Sequence, residues 1–116
     1  MPQITVDYSA ELDDAFDRRG FAGELHPLVA RTISTAVGNC KTRFRRVDET
    51  VTGDGSASGA VVHIVVAMQA GRTPEVRALL SQSMVALLAE HLKPVDGLQV
   101  QISAETRDLD RSYRKR

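Results

Sequence analysis

Ala60-Val61-Val62-His63-Ile64-Val65-Val66-Ala67-Met68 is the stretch on which the fold turns. It is far shorter than the roughly twenty apolar residues of a membrane span. It is rich in valine and isoleucine, which favour strands. Both parities are apolar, so the spacing predicts a strand covered on both faces. Gln69 to Arg72 follows as a turn carrying Gly71. Thr73 then suits an N-cap, Pro74 the first helical position, and Glu75 the positive end of the helix dipole. Val76, Leu79, Leu80, Met84, Leu87, Leu88 and Leu92 form the clearest helical stripe in the chain. Lys93-Pro94 and Gly97 end it. Leu98, Val100, Ile102 and Ala104 alternate with Gln99, Gln101, Ser103 and Glu105, which predicts another strand.

Toward the N-terminus the same order of elements recurs. Ile4, Val6 and Tyr8 alternate with Gln3, Thr5 and Asp7, a strand with one buried face. Ser9 to Arg19 is polar and acidic, with a helical turn expected around Leu12 and Phe16 and punctuation at Gly20 and Gly23. Leu25, Leu28, Val29, Ile33 and Ala36 fall at helical offsets, and Pro27 among them either opens or kinks that helix. Gly38 and Asn39 are stop residues. Cys40 to Glu49 reads as a strand with Lys41, Arg43 and Arg45 on one face and Thr42, Phe44 and Arg46 on the other. Positions 50–59 make the main loop.

The predicted fold is therefore α+β: two β-α-β units forming a four-stranded sheet, with both helices on one face. One domain is expected over residues 1–105, followed by a basic tail over 106–116 that is mobile or docked on a neighbour. An apolar second face on the third strand calls for a partner, which a second copy supplies most simply. A ferredoxin-like monomer has the same element order and leaves that face in water.

Composition narrows the function. The chain has 116 residues, with 15 Lys plus Arg balancing 15 Asp plus Glu. A net charge of zero argues against a protein that grips long nucleic acids by their phosphates, so no nucleic-acid partner is expected. Sparse aromatics (Tyr8, Phe16, Phe21, Phe44 and Tyr113) give poor support to a base-stacking platform. Cys40, the single cysteine, cannot form an internal disulfide. No signal peptide and no membrane segment are read, and a cytoplasmic location is expected. The histidines lack metal-ligand spacing, with His63 read as a satisfied core residue, His26 as a boundary residue and His91 as a complement to a helix end. No dinucleotide or phosphate-loop motif occurs, so neither metal nor cofactor is expected. The zero total hides local concentration. Lys41, Arg43, Arg45 and Arg46 cluster in one strand, and Arg107, Arg111, Arg114, Lys115 and Arg116 crowd the end. Such placement suits a small-anion site as well as a solvated edge strand.

Pro2 is the first chemical candidate. Removal of Met1 would make it a secondary amine, and α-amino groups titrate at about 7.7–8.0. Nearby cations and burial would favour its free base at neutral pH. Arg72, in a glycine turn just before a helix, is suited to share a carboxylate with free backbone N–H groups.

The set Met1-Pro2, Val6-Asp7, Ser9, Pro27, Arg43, Val47-Asp48, Val62-His63 and Ala70-Gly71-Arg72 resembles the 5-carboxymethyl-2-hydroxymuconate Δ-isomerase family of the tautomerase superfamily. The similarity runs from Pro2 to about Glu105. It implies the tautomerase fold, like that of macrophage migration inhibitory factor, assembled as a homotrimer with its sheets turned inward. It also implies a cofactor-free isomerase acting on a small di- or tricarboxylate in aromatic-acid breakdown. In that chemistry the Pro2 amine moves a proton from the 2-hydroxyl to carbon 5. The resemblance makes Arg72 a carboxylate binder that also stabilises the dienolate, and places Lys41 where the family usually has a second arginine. Lysine keeps the charge but loses the bidentate fork. Arg43 and Arg45 are the residues on the same strand face that would compensate as substrate binders. The alternatives are a tautomerase of another unsaturated 2-hydroxy or 2-oxo acid, or a non-catalytic anion- or nucleic-acid-binding module.

Overall fold

The apolar run forms a strand with one fully buried face. In the computed structural model, which describes residues 1–56 and 58–116, this strand is β3 (Gly59–Met68). Ala60, Val62, Ile64, Val66 and Met68 are buried, while Val61, His63, Val65 and Ala67 on the other face are half-buried. The expectation of two covered faces is thus met on one side only within a single chain. His63 is correspondingly outside the core. Its Nδ1 meets Ser103 Oγ at 2.6 Å and its Nε2 meets Glu105 Oε1 at 3.2 Å, both on the open face.

The remaining elements are β1 (Gln3–Ser9), α1 (Arg18–Ile33), β2 (Lys41–Val47), α2 (Pro74–Glu90) and β4 (Gln99–Asp108). Short 3₁₀ turns lie at Ala10–Leu12 and Val37–Asn39. Position 57, inside the predicted 50–59 loop, lies outside the described residues. The strand order is β2-β1-β3-β4. The outer pairs β1–β2 and β3–β4 are parallel, and the central pair β1–β3 is antiparallel. Read from the opposite edge, this order is the same with the two β-α-β units exchanged. Each β-α-β unit places its two strands side by side, whereas the ferredoxin-like arrangement splits them. The pairing therefore excludes that rival.

Helix α1 starts earlier than the apolar spacing predicts. The Asp17 side chain accepts a hydrogen bond from Gly20 N at 3.0 Å and so caps the first turn. A Cβ at Gly20 would lie 2.1 Å from Asp17 Oδ2, so this glycine makes room for the cap. Pro27 sits inside the helix and withdraws one N–H from its ladder. The helix ends at Ile33, short of the predicted Ala36, because Ser34 turns left-handed at φ 57°. Helix α2 begins as its sequence predicts, with Thr73 Oγ1 accepting from Val76 N at 3.2 Å. Leu80, Met84 and Leu88 form its buried stripe. Leu79, counted in the predicted stripe, is 56% exposed. It precedes Leu80 by one residue and so points about 100° away from it.

Both helices press on the face formed by Ile4, Val6 and Tyr8 of β1 and the buried residues of β3. Phe16 anchors one end, within 5.6–5.9 Å of the rings of Tyr8, Phe21 and Phe44. These edge-on or tilted contacts use four of the five aromatic residues inside the fold. Strand β4 runs to Asp108, so backbone pairing carries three residues into the segment read as a tail. Among the described residues, no helix is long and apolar enough to cross a membrane.

Candidate active site

Antiparallel pairing of β1 with β3 brings two distant candidates together. Gln3 stands opposite Ala67, so Pro2 lies beside Met68, four residues before Arg72. Pro2 is buried and continues the parity of Ile4, Val6 and Tyr8. Its carbonyl accepts the Lys41 backbone N–H at 3.3 Å, which holds it against the start of β2. Pro2, Ile33, Met68 and Arg72 line a cleft of about 480 Å³, with Met1 at its wall. Thr35 and Asn39 add polar groups, joined by an Asn39 Nδ2 to Thr35 Oγ1 bond of 3.2 Å.

The local chain places Arg72 with little freedom. Gly71 has φ 120°, a conformation that side chains with a Cβ rarely adopt. The Arg72 guanidinium then donates to Ile33 O and Gln69 O, each at 3.0 Å. Ile33 O is one of the carbonyls that the end of α1 leaves without a helical partner. A cation there also complements the negative end of the helix dipole. Arginine carries five N–H donors, so the guanidinium keeps donors for an anion in the cleft.

The strand-two cations stand elsewhere. Lys41, Arg43 and Arg45 pair with Gln3, Thr5 and Asp7, so they project from the open sheet face, opposite to the parity of Pro2. Lys41 Nζ turns back to Gly38 O at 2.7 Å. Arg43 donates to Gln3 Oε1 at 2.8 Å. Arg45 grips Asp7 through Nε at 2.6 Å and Nη2 at 3.0 Å. That hydrogen bond lowers the Asp7 pKa against a smaller opposing effect of burial. Within one chain the cleft thus unites Pro2 with Arg72 and leaves Lys41, Arg43 and Arg45 on another surface.

Other titratable groups serve the framework. His26 Nε2 meets Thr42 Oγ1 at 2.8 Å, and burial, then the Lys41 charge, push its pKa down. Burial raises the Cys40 thiol pKa, which keeps it protonated and inert. His91 Nδ1 lies 2.9 Å from Leu87 O, and its Nε2 contacts Glu24.

The segment after β4 supplies a wall that sequence patterning did not reveal. Tyr113, Arg114 and Lys115 line the same cleft as Pro2 and Arg72. Gln3 Nε2 donates to Tyr113 Oη at 3.2 Å, which ties the segment to β1. The one available signal was Tyr113 itself, an aromatic residue in a segment otherwise almost wholly polar.

Comparison with known proteins bears on this arrangement. Residues 2–116 match the model of the family described as 5-carboxymethyl-2-hydroxymuconate isomerase. A search of curated protein sequences finds no significant match. Among solved structures, the chain is similar to a 5-carboxymethyl-2-hydroxymuconate isomerase from Deinococcus radiodurans R1, at 23% identity and a TM-score of 0.83. That alignment covers 98% of this chain and 88% of the other. A 5-carboxymethyl-2-hydroxymuconate delta-isomerase aligns with a TM-score of 0.84 at 15% identity, over 100% of this chain and 87% of that one. A macrophage migration inhibitory factor-like protein from Entamoeba histolytica aligns at 17% identity and a TM-score of 0.61, over 91% of this chain and 89% of that chain. These likenesses establish the tautomerase fold.

Proposed function

This chain belongs to the 5-carboxymethyl-2-hydroxymuconate isomerase family and is a tautomerase-type isomerase, and from that premise we propose that Pro2 is its general base. Removal of Met1 converts the Pro2 nitrogen from a tertiary amide to a secondary amine. It also clears a side chain from the cleft wall. The amine takes the proton from the 2-hydroxyl of 5-carboxymethyl-2-hydroxymuconate, leaving a dienolate. The resulting ammonium returns a proton to carbon 5, giving the 2-oxo-3-ene isomer with no net gain or loss of atoms. Arg72 binds a substrate carboxylate and offsets dienolate charge; such oriented charge is usually the largest single contribution to rate. The step needs no cofactor and belongs to the breakdown of aromatic acids.

One observation carries this reading: among the described residues, buried Pro2 and half-buried Arg72 share a cleft whose lining includes no aspartate or glutamate. Cations without a compensating carboxylate favour the neutral amine and attract an anionic substrate.

The assembly proposed is a homotrimer, and the open sheet face supports a covering layer there, since Val61, Val65 and Ala67 are only half-buried within one chain. Lys41 would then enter a site only from a neighbouring copy, because its own cleft lies on the opposite parity. Light scattering that gave a monomer of 12.7 kDa would end this part of the reading.

Comparing processed protein with protein retaining Met1, each verified by intact mass, tests the base. Loss of a general base typically costs about 10²–10⁴-fold, and the retained form is expected to fall by at least the lower figure. Equal turnover by both forms would remove Pro2 from the mechanism. A second reading, a tautomerase of a different acid, is favoured by the lysine at position 41. Assays with 2-hydroxymuconate and phenylenolpyruvate beside the carboxymethyl substrate separate the two.

A further inference from the structure

The chain end is anchored beside Pro2 at successive points. Arg77 of α2 donates to Asp108 Oδ1 at 3.1 Å and to Thr106 Oγ1 at 3.0 Å, fixing the end of β4 to a helix. Leu109 N then donates to Met68 O at 2.7 Å, extending the β3 contact past the strand. Asp110 organises the turn that follows. Its carboxylate accepts from Ser112 N at 2.8 Å and Ser112 Oγ at 2.6 Å, and its carbonyl accepts from Tyr113 N at 2.9 Å. The Gln3–Tyr113 bond closes the sequence of anchors. Their combined effect is to hold Arg114 and Lys115 at the same cleft as Arg72.

The cations gathered at this cleft have no carboxylate partner among the described residues. Elsewhere in the fold Arg18, Arg45, Arg46, Arg77 and Arg107 each have a carboxylate partner within 4.0 Å. In the cleft, Arg72 and Arg114 donate to backbone carbonyls: Arg72 to Ile33 and Gln69, Arg114 to Arg111 O at 3.0 Å and Tyr113 O at 2.8 Å. Among the described residues, no acidic side chain lines the cleft to balance them. Like charges gathered without a counter-charge raise one another's energy, and a bound polyanion relieves that cost.

We infer that Arg114 and Lys115 form a second carboxylate-binding subsite of the Pro2 cleft, positioned by Tyr113 and separate from the carboxylate contact of Arg72. The inference rests on the Pro2 cleft being the substrate site. It assigns the terminal segment a substrate-selecting role: acids with two or three well-spaced carboxylates engage both ends of the cleft, and monocarboxylates engage one. Both side chains are exposed, so neutralising them leaves the fold intact.

The test uses the full chain with Met1 removed and propane-1,2,3-tricarboxylate as an unreactive probe, titrated calorimetrically at low and moderate salt. Arg114→Gln/Lys115→Gln is compared with Arg19→Gln/Arg31→Gln, which removes the same net charge from exposed positions of α1. Exposed charge contacts are individually modest, so the tail variant should weaken binding roughly three- to tenfold while the α1 variant retains it. In turnover, the tail variant should raise KM for the tricarboxylate substrate with kcat little changed, and affect 2-hydroxymuconate less. Equal binding in both variants and the unsubstituted protein, or equal loss in both variants, would overturn the subsite. Should the tail variant alone lose probe binding while the unsubstituted protein turns over no substrate, the subsite stands and the proposed reaction falls. If the unsubstituted protein turns over the substrate and the tail variant matches it in both KM and kcat, the reaction stands and the subsite falls.

Discussion

Two groups of cations occupy different surfaces of the molecule, and their environments differ. On the open face, Arg45 is gripped by Asp7, Arg43 by the Gln3 amide oxygen and Lys41 by a main-chain carbonyl. In the cleft, Arg72, Arg114 and Lys115 have no aspartate or glutamate beside them among the described residues. Sequence density alone picks out the first group, since Lys41 to Arg46 is the densest internal run of cations. The structure shows that density and availability are separate properties. A cation held by an aspartate is partly neutralised, and a substrate would have to displace that partner. Lys41, Arg43, Arg72 and Arg114 are held by neutral oxygens and keep their full charge, and of these Arg72 and Arg114 line the Pro2 cleft.

Substitutions should break this contrast unevenly. Arg72→Ala is expected to have the largest effect, lowering kcat by about 10²–10³-fold, the range for losing an oriented charge-stabilising donor. It should also destabilise the fold slightly, because the Ile33 and Gln69 carbonyls lose their donor. Arg72→Lys, which keeps charge and loses the fork, should recover only part of the activity; full recovery would show that charge alone suffices. Lys41→Ala should act more mildly, raising KM by about tenfold if a neighbouring copy presents this ammonium to the cleft. An unchanged KM would assign the whole strand-two stripe to the framework. Arg45→Ala should leave kcat/KM within about twofold, since an exposed ion pair contributes little.

The smallest effects concern pH. The Asp7 pKa is lowered by its bond to Arg45. Its contribution to stability is therefore complete above the unfolded value of 3.8 and fades as pH falls through the lower folded value. Asp7→Asn should flatten that acid limb in urea melts. The His26 pKa is also lowered, chiefly by burial. The folded chain thus resists protonation there, and stability declines as pH falls from 6.5 toward the folded value. His26→Gln should remove this shallow slope while leaving the Asp7 limb in place. A slope that survived the change would place its origin elsewhere.

What could be read in advance depended on how local its cause was. Thr73-Pro74 announced α2 because a cap and an N1 proline act within one turn. The start of α1 was obscured because its cap requires Gly20 to lack a Cβ beside Asp17, so a residue read as punctuation is part of the helix. The end of β4 was hidden for a different reason. Thr106, Arg107 and Asp108 pair with β3 through their backbones and show no apolar alternation. At the cleft, Pro2 and Arg72 were each singled out from the sequence, Pro2 by its chemistry and Arg72 by its glycine turn. Their meeting depends on the β1–β3 register, a long-range property that residue spacing does not encode. The cleft wall from Tyr113 to Lys115 depends on several anchors outside any periodic element.

The palindromic strand order has a stoichiometric consequence. A sheet whose order is preserved on exchanging its two units has two topologically corresponding corners, one where β1 begins and one where β3 begins. At the second corner, Ser58, Gly59 and Leu98 border a recess of about 320 Å³ that also includes Glu11. It lies at the start of β3, as the Pro2 cleft lies at the start of β1, but the nitrogen there is an internal amide and the nearby charge is acidic. A polypeptide has one beginning. If the α-amine of Pro2 is the base proposed above, duplicating the β-α-β unit doubles the framework and leaves one such amine per chain.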